Sequence, residues 1–228
     1  SNPNWTCPIL TPPPTSADRP PRRESRFAVL RQKAIEAYYL VEDFIPRPRN
    51  GSAWLRLLRL PNLLTVPGDV LAGFLLAPAA TGGDWAQLLF AIPAGLLLYG
   101  AGLALNDLFD YAEDLRERPE RPLPSGEISR EAAAAAALIF FWIAAFLAAF
   151  FNALAIAIPL ILCVILYNVG VKRHAVFGPF LMGASRAGNL LLGAAAASDG
   201  MPSTPLPWIG AAILGIYIAA VTRLARDE

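Results

Sequence analysis

Residues 86–126 of this 228-residue chain read AQLLFAIPAGLLLYGAGLALNDLFDYAEDLRERPERPLPSG. The first half is an apolar run of about 20 residues, the length of a membrane-spanning helix. It leads directly into four acidic residues within positions 107–114. At about 100° per residue, Asn106, Asp107, Asp110 and Asp114 fall within an arc of roughly 100°. Like charges on one face of a helix are unfavourable without a counter-charge, and a divalent cation is the obvious one.

The spacing of these acids predicts a metal site. Asp107, Asp110 and Asp114 stand at positions i, i+3 and i+7, so their carboxylates project together about one turn apart. Carboxylate oxygens suit Mg²⁺, which usually keeps some waters and is completed by substrate phosphates. We therefore expect Asn106 and the three aspartates to bind Mg²⁺ and a phosphate-bearing substrate. The alternative is a solvated helix end with interfacial acids, but ionisable clusters at a membrane are costly and usually functional.

Composition predicts an all-α, polytopic membrane helical bundle. The chain is 55% hydrophobic and 16% charged, and its mean hydropathy is +0.45. A large soluble helical protein would not need repeated apolar runs of about 20 residues. The two cysteines indicate neither a disulfide framework nor a metal site. We expect membrane spans near 61–80, 86–105, 132–151, 153–171, 178–197 and 206–223.

Residues 1–53 form a region apart from the membrane domain predicted over 54–228. Residues 1–26 are rich in proline and are expected to be disordered. The apolar spacing over residues 27–45 predicts an amphipathic helix at the membrane, and a soluble linker helix fits the same pattern.

The basic residues predict the orientation of the spans. Basic residues precede the first span, lie between the second and third spans, and follow the fourth and sixth spans. The three other links between spans contain no Lys or Arg. All the basic loops therefore fall on one side, which the positive-inside rule assigns to the cytoplasm, and the acidic motif faces that side too. The expected location is a bacterial plasma membrane. The basic residues alternate with acids and face a membrane, so no nucleic-acid partner is predicted.

Three of these cations are candidate ligands for phosphate. Arg118 and Arg121 follow the acidic motif and can fork onto phosphate oxygens, while Lys172 adds a point charge at the end of the fourth span. The alternatives are that the arginines only determine topology and that the lysine snorkels to the interface.

Arg186 is a charge within the fifth predicted span. A charge there costs about 2.5–3.5 kcal/mol, so it should face a polar cavity or a carboxylate. Asp69 in the first span is the candidate partner, and a purely structural ion pair is the alternative to a functional one. Three more residues are candidate substrate ligands, with interface anchoring an alternative for the tyrosine: Asn62, Tyr167 and Asn189.

These residues resemble a known family. Asn106-Asp107-x-x-Asp110-x-x-x-Asp114, followed by Arg118-Pro-Glu-Arg121-Pro-Leu-Pro-Ser-Gly126, is similar to the first signature of the UbiA superfamily of intramembrane prenyltransferases. Tyr167-Asn168-x-x-x-Lys172-Arg173 and the segment Gly178–Gly193 also resemble that superfamily, most closely its EboC-like branch. The resemblance covers roughly residues 54–226.

The resemblance implies a helical bundle, normally of nine spans, around a cavity open to lipid. It implies Mg²⁺-dependent transfer of an isoprenyl group from an allylic isoprenyl diphosphate to an aromatic or other lipophilic acceptor in the bilayer. It also implies a second aspartate-rich motif after the sixth span, where this sequence has TRLARDE at 222–228. Either the chain is a fragment or its branch uses a different second half-site; the arginine loop is also about one residue shorter than usual.

Two other functions share features of this sequence. A non-catalytic prenyl-lipid carrier or complex subunit would keep the fold and the first motif. A CDP-alcohol phosphotransferase also uses membrane aspartates, but the Asp-Gly-x-x-Ala-Arg segment it needs is absent.

Overall fold

The computed structural model describes residues 50–77 and 85–225. The expectations for the proline-rich tail and for an amphipathic helix over 27–45 lie outside these residues. Every regular element in the described ranges is helical, which confirms the all-α class. The helices are α1 Asn50–Leu57, α2 Leu60–Leu63, α3 Val66–Leu76, α4 Leu88–Phe109, α5 Tyr111–Glu117, α6 Arg130–Ala149, α7 Leu154–Val169, α8 Phe177–Ser198 and α9 Pro205–Leu224, with short 3₁₀ turns at Trp85–Gln87 and Val171–Arg173.

A helix lies at each of the six predicted spans. Within the described ranges, three helical stretches are long and apolar enough to cross a membrane: Trp85–Phe109, Arg130–Ala149 and Pro205–Leu224. Leu60–Leu76 and Leu154–Val169 are apolar but shorter. The predicted membrane domain is therefore helical as expected, while the number of spans stays a prediction.

The first span differs from its prediction in one respect. It is broken into α2 and α3 at Leu64–Thr65, and Pro67 lies in the first turn of α3. Proline lacks the N–H that a continuous helix would use, whereas at a helix start that N–H has no intrahelical partner anyway. Helix α1, which buries Ala53 and Leu57 on one face, was not predicted.

Two glycines let α3 and α8 touch backbone to backbone. A Cβ placed on Gly73 would lie 1.7 Å from the Leu190 carbonyl oxygen, and one on Gly193 would lie 1.8 Å from the Val70 carbonyl oxygen. Small residues are what allow membrane helices to approach this closely. The contact holds α3 beside the turn of α8 that carries Arg186.

Gly193→Ala is expected to destabilise the protein, because the new methyl group forces α3 and α8 apart. Overpacking of this kind costs about 1–3 kcal/mol. The measurement is the midpoint of thermal unfolding of the purified protein in detergent. Gly68→Ala is the matched control, since Gly68 is an exposed position of α3 with open space around its Cβ position. Equal midpoints for both variants would contradict the close contact.

The contacts between loops gather the basic segments at one end of the bundle. Arg173 lies 3.5 Å from Glu113, and Arg56 pairs with Glu127. Arg223 donates a hydrogen bond to the Ala175 carbonyl at 3.4 Å. At the other ends of α6 and α8, Asn152 donates to Asp199 at 3.1 Å. The basic loops in the described ranges therefore share one side, as the charge pattern predicted.

Candidate active site

The acidic motif lies at the junction of α4 and α5. Asp110 sits between the two helices with φ −88° and ψ 0°, yet helical hydrogen bonding continues through it. Its N–H donates to the Asn106 carbonyl at 3.0 Å, and its carbonyl accepts from the Asp114 N–H at 2.8 Å. The polar side chains therefore keep about the helical spacing on which the metal prediction was based.

Two of the three aspartates share one arginine. Arg121 Nη1 lies 2.6 Å from Asp114 Oδ2 and 3.8 Å from Asp107 Oδ1. Arg59 adds a second cation, with Nη2 at 2.8 Å from the same Asp107 oxygen. Arg118 lies 3.7 Å from Asp114. Asp107 and Asp114 are both buried, at 4% and 2% exposed, so close counter-charges are what make their burial tolerable.

The third aspartate has a different partner. Lys172 Nζ lies 2.6 Å from Asp110 Oδ1 and donates to Asn106 Oδ1 at 3.1 Å. Asn106 and Asp110 therefore aim two hard oxygen donors at one cationic centre, which is the donor chemistry that Mg²⁺ prefers. No group of three or more Asp, Glu, His or Cys side chains within residues 50–77 and 85–225 is arranged to hold a metal ion. A metal here would need water or phosphate oxygens to complete its coordination.

The three aspartates have counter-charges within the chain. The sequence predicted a divalent cation as the counter-charge of these acids, and Arg118, Arg121 and Lys172 as ligands for phosphate; both remain predictions. In the structure, the chain's own cations already neutralise all three aspartates. The cluster is therefore a network of alternating charges within residues 59–172.

The charge within α8 has the partner that the sequence predicted. Arg186 Nε lies 2.8 Å from Asp69 Oδ2, and Nη2 donates to Asp69 Oδ1 at 3.0 Å. Its Nη1 donates to Thr65 Oγ1 at 2.9 Å, and the guanidinium carbon lies 5.9 Å from the centre of the Tyr99 ring. The bidentate pair is largely buried, which confirms that Arg186 faces a carboxylate.

A cavity of about 250 Å³ extends from the motif towards this pair. Five of the predicted substrate-binding residues line it: Asn62, Asn106, Tyr167, Arg186 and Asn189. The aspartates of the motif, Arg118, Arg121 and Lys172 are outside its lining and are held by the contacts described above. The remaining lining residues are Arg59, Leu98, Tyr99, Gly102, Leu103, Leu160, Val164, Asn168, Met182 and Ser185.

Arg59 is a site residue that sequence reasoning missed, because it was assigned to topology alone. It lines the cavity and pairs with Asp107 across 48 positions of sequence, a distance at which no local pattern applies. Its backbone is left-handed, with φ 46° and ψ 59°, a conformation that residues other than glycine adopt uncommonly. Such conformations cluster at functional sites. Tyr99 was missed as well, since it lies within an apolar run.

The profile of the UbiA prenyltransferase family matches residues 69–227. The chain belongs to this family. The match covers the acidic motif, the arginine loop, Lys172 and Arg186, which confirms the resemblance at the level of the family.

The similar proteins include digeranylgeranylglyceryl phosphate synthases of archaea. The chain is 31% identical to that of Methanococcus aeolicus over 60% of this chain and 53% of that protein. It is 33% identical to that of Methanoculleus marisnigri over 76% of this chain and 58% of that protein. A solved structure from work on digeranylgeranylglyceryl phosphate synthase in membranes superposes with a TM-score of 0.63 and 25% identity, covering 76% of this chain and 60% of that chain. The chain thus spans little more than half the length of the curated relatives it matches.

Arg186→Ala is expected to destabilise the bundle, because it leaves the Asp69 carboxylate buried without its partner. Breaking a buried pair costs about 3–5 kcal/mol. The double variant Asp69→Asn, Arg186→Ala should recover part of that loss. The measurement is the midpoint of thermal unfolding in detergent for Arg186→Ala, for Asp69→Asn and for the double variant.

Arg116→Ala is the matched control, since Arg116 is exposed and its hydrogen bond is to Ala112 within its own helix. An Arg186→Ala protein as stable as this control would mean that the ion pair contributes nothing.

Proposed function

We propose that the full-length protein transfers an isoprenyl group from an allylic isoprenyl diphosphate to a lipophilic acceptor within the membrane, with Mg²⁺ as cofactor. The single observation that carries the proposal is the charge network of Asp107, Asp110 and Asp114 with their cations, set at one end of a largely apolar cavity. A diphosphate with a long hydrocarbon tail likewise has one charged end and one apolar end.

The polar end supplies the groups that ionisation of a diphosphate requires. Asn106 and Asp110 would hold Mg²⁺ together with diphosphate oxygens, and Asp107 and Asp114 would complete the acidic set. Mg²⁺, when bound, supplies Lewis-acid stabilisation of the leaving diphosphate. Lys172, Arg118 and Arg121 bind the remaining phosphate charge. Their present pairing with the aspartates holds their cationic groups at the site before the substrate arrives.

The cavity supports the second half of the reaction. Its apolar lining keeps water from an allylic cation that would otherwise be hydrolysed. Tyr99 and Tyr167 also line it, and an aromatic face stabilises a cation nearby. Arg186 with Asp69, together with Asn62 and Asn189, forms the polar part of the wall that orients the acceptor.

The acceptor is aromatic or another lipophilic compound. The relatives are named as synthases of a glyceryl phosphate lipid, which favours the second class. The segregation of basic loops supports a cytoplasmic position for the acidic motif.

A second candidate is a non-catalytic membrane subunit or carrier of prenyl lipids. The observation that favours it is the neutralisation of the acidic motif by the chain's own cations, which leaves the fold without need of a metal.

Asp107→Ala and Asp110→Ala are each expected to reduce Mg²⁺-dependent diphosphate release by the full-length protein about 100-fold or more, since each removes part of the metal–diphosphate site. The measurement is phosphate formed through a coupled pyrophosphatase, with geranylgeranyl diphosphate as donor in lipid nanodiscs and a membrane lipid extract as the source of acceptor.

Glu117→Ala is the matched control, because Glu117 is an exposed acid on neighbouring α5. Wild-type turnover in both aspartate variants would overturn the metal assignment. A wild-type protein that binds the donor and releases no diphosphate would favour the carrier.

A further inference from the structure

The loop between α7 and α8 carries the cation that pairs with Asp110. Lys172 lies in the 3₁₀ turn Val171–Arg173, shortly after the end of α7. Its ammonium nitrogen lies 2.6 Å from Asp110 Oδ1 and 3.1 Å from Asn106 Oδ1. The backbone of the loop determines how far this side chain can reach. A group that holds the loop in shape therefore acts on the candidate site.

The backbone of Lys172 packs directly against the first turn of α8. A Cβ placed on Gly178 would lie 2.6 Å from the Lys172 carbonyl oxygen. The Gly178 N–H also donates to the His174 carbonyl at 3.1 Å. The loop and the start of α8 therefore form one packed unit, and a change in that first turn is transmitted to Lys172.

The His174 side chain caps this first turn. Its Nδ1 accepts hydrogen bonds from the backbone N–H groups of Val176 and Phe177, each at 3.3 Å. N–H groups at the start of a helix have no acceptor within the helix. Because a backbone N–H only donates, Nδ1 must carry a lone pair, so the imidazole is neutral with its proton on Nε2. The ring also packs on that of Phe177, with centroids 4.9 Å apart.

Protonation of the imidazole abolishes this cap. A histidinium ring donates from both nitrogens and accepts at neither. The two backbone N–H groups then face another N–H group instead of a lone pair, and the first turn of α8 frays. The support for the Lys172 backbone is lost as the pH falls through the range where His174 becomes charged, and it returns as the pH rises.

Other charged groups of the described ranges surround this loop. They come from the loop itself, from α5, from the junction of α4 and α5, and from α9: Lys172, Arg173, Glu113, Asp110 and Arg223. The last turn of α7 and the first turn of α8 contain no charged residue. Histidine is the one side-chain type here whose charge ordinarily changes between pH 5 and 8.

We propose that His174 is a positioning residue whose neutral imidazole holds Lys172 at the acidic motif, so that its protonation weakens the binding of the prenyl diphosphate. The inference rests on the proposed function and adds a lower pH limit to it. The sign separates this effect from that of charge alone. An added positive charge strengthens the binding of an anion, whereas the loss of the cap weakens it.

The first test needs no ligand and follows the exchange of backbone amide hydrogens over residues 171–180 of the full-length protein in detergent. His174→Asn is the matched variant, because its Oδ1 can stand where Nδ1 stands and accepts a hydrogen bond at any pH of the test. At pH 5.5 the wild-type segment should exchange about fivefold faster than that of the variant, the factor that corresponds to one helix cap. At pH 8 the two should exchange alike.

The second test measures the affinity for geranylgeranyl thiolodiphosphate with Mg²⁺ at the same two pH values. Between pH 8 and pH 5.5, the wild-type protein should lose about fivefold more affinity than His174→Asn. Titration of the analogue itself cancels in this comparison. His174→Phe keeps a ring but has no acceptor, so it should bind about fivefold more weakly than wild type at pH 8 and equally at pH 5.5.

Equal pH profiles of affinity in the wild-type protein and His174→Asn would overturn the inference. Tighter binding by wild type than by His174→Asn at pH 5.5 would overturn it too, because that is the sign of a direct charge effect. The comparison with His174→Asn decides even where His174→Phe does not fold. A protein that shows the exchange difference but binds no analogue at either pH would support the cap and overturn the proposed donor site.

Discussion

Neutralising three carboxylates at the end of a membrane helix is the constraint on which this structure depends. Asp107 and Asp114 are buried, and a buried carboxylate without a partner costs several kcal/mol. The chain meets this requirement with cations from three separate segments: Arg59 before α2, Arg121 in the loop after α5, and Lys172 after α7. These ion pairs connect the segments at one end of the bundle, and the same groups form the charged end of the cavity.

The backbone contact between α3 and α8 determines the rest of the cavity. Because Gly73 and Gly193 have no Cβ, these two helices approach closely enough for Asp69 and Arg186 to form a bidentate pair. A single charge on either helix would be costly in a bilayer, whereas the pair is tolerated. The cavity therefore has a charged end at the motif, with both apolar side chains and separate polar groups along its wall, which is the arrangement that the proposed function requires.

The sequence predicted features that depend on local spacing. The helical positions, the acidic motif, the one-sided basic loops and the Arg186–Asp69 pair all follow from periodicity or from the cost of a charge in a membrane. The break between α2 and α3 could have been predicted from Pro67, and α1 from the spacing of Ala53 and Leu57. The family resemblance was confirmed, while its EboC-like branch and the site roles stay predictions.

Other features depend on packing that spacing does not show. The position of Arg59 beside Asp107 depends on how α1 and α2 lie against α4, and the same holds for Asn168 beside Gly102. The cations that pair with the motif could not be predicted for a related reason. A helical wheel shows which acids share a face, but not which cations from other segments reach that face.

The most direct test is a structure of the full-length protein with Mn²⁺ in place of Mg²⁺ and a non-ionisable thiolodiphosphate analogue of the isoprenyl donor. Anomalous scattering locates the Mn²⁺. The account predicts a metal ion bound by Asn106 and Asp110 and bridged to the diphosphate, with Lys172 in contact with a phosphate oxygen and the hydrocarbon chain in the cavity. A metal and diphosphate bound away from these residues, or an unchanged Lys172–Asp110 pair beside a bound analogue, would contradict it.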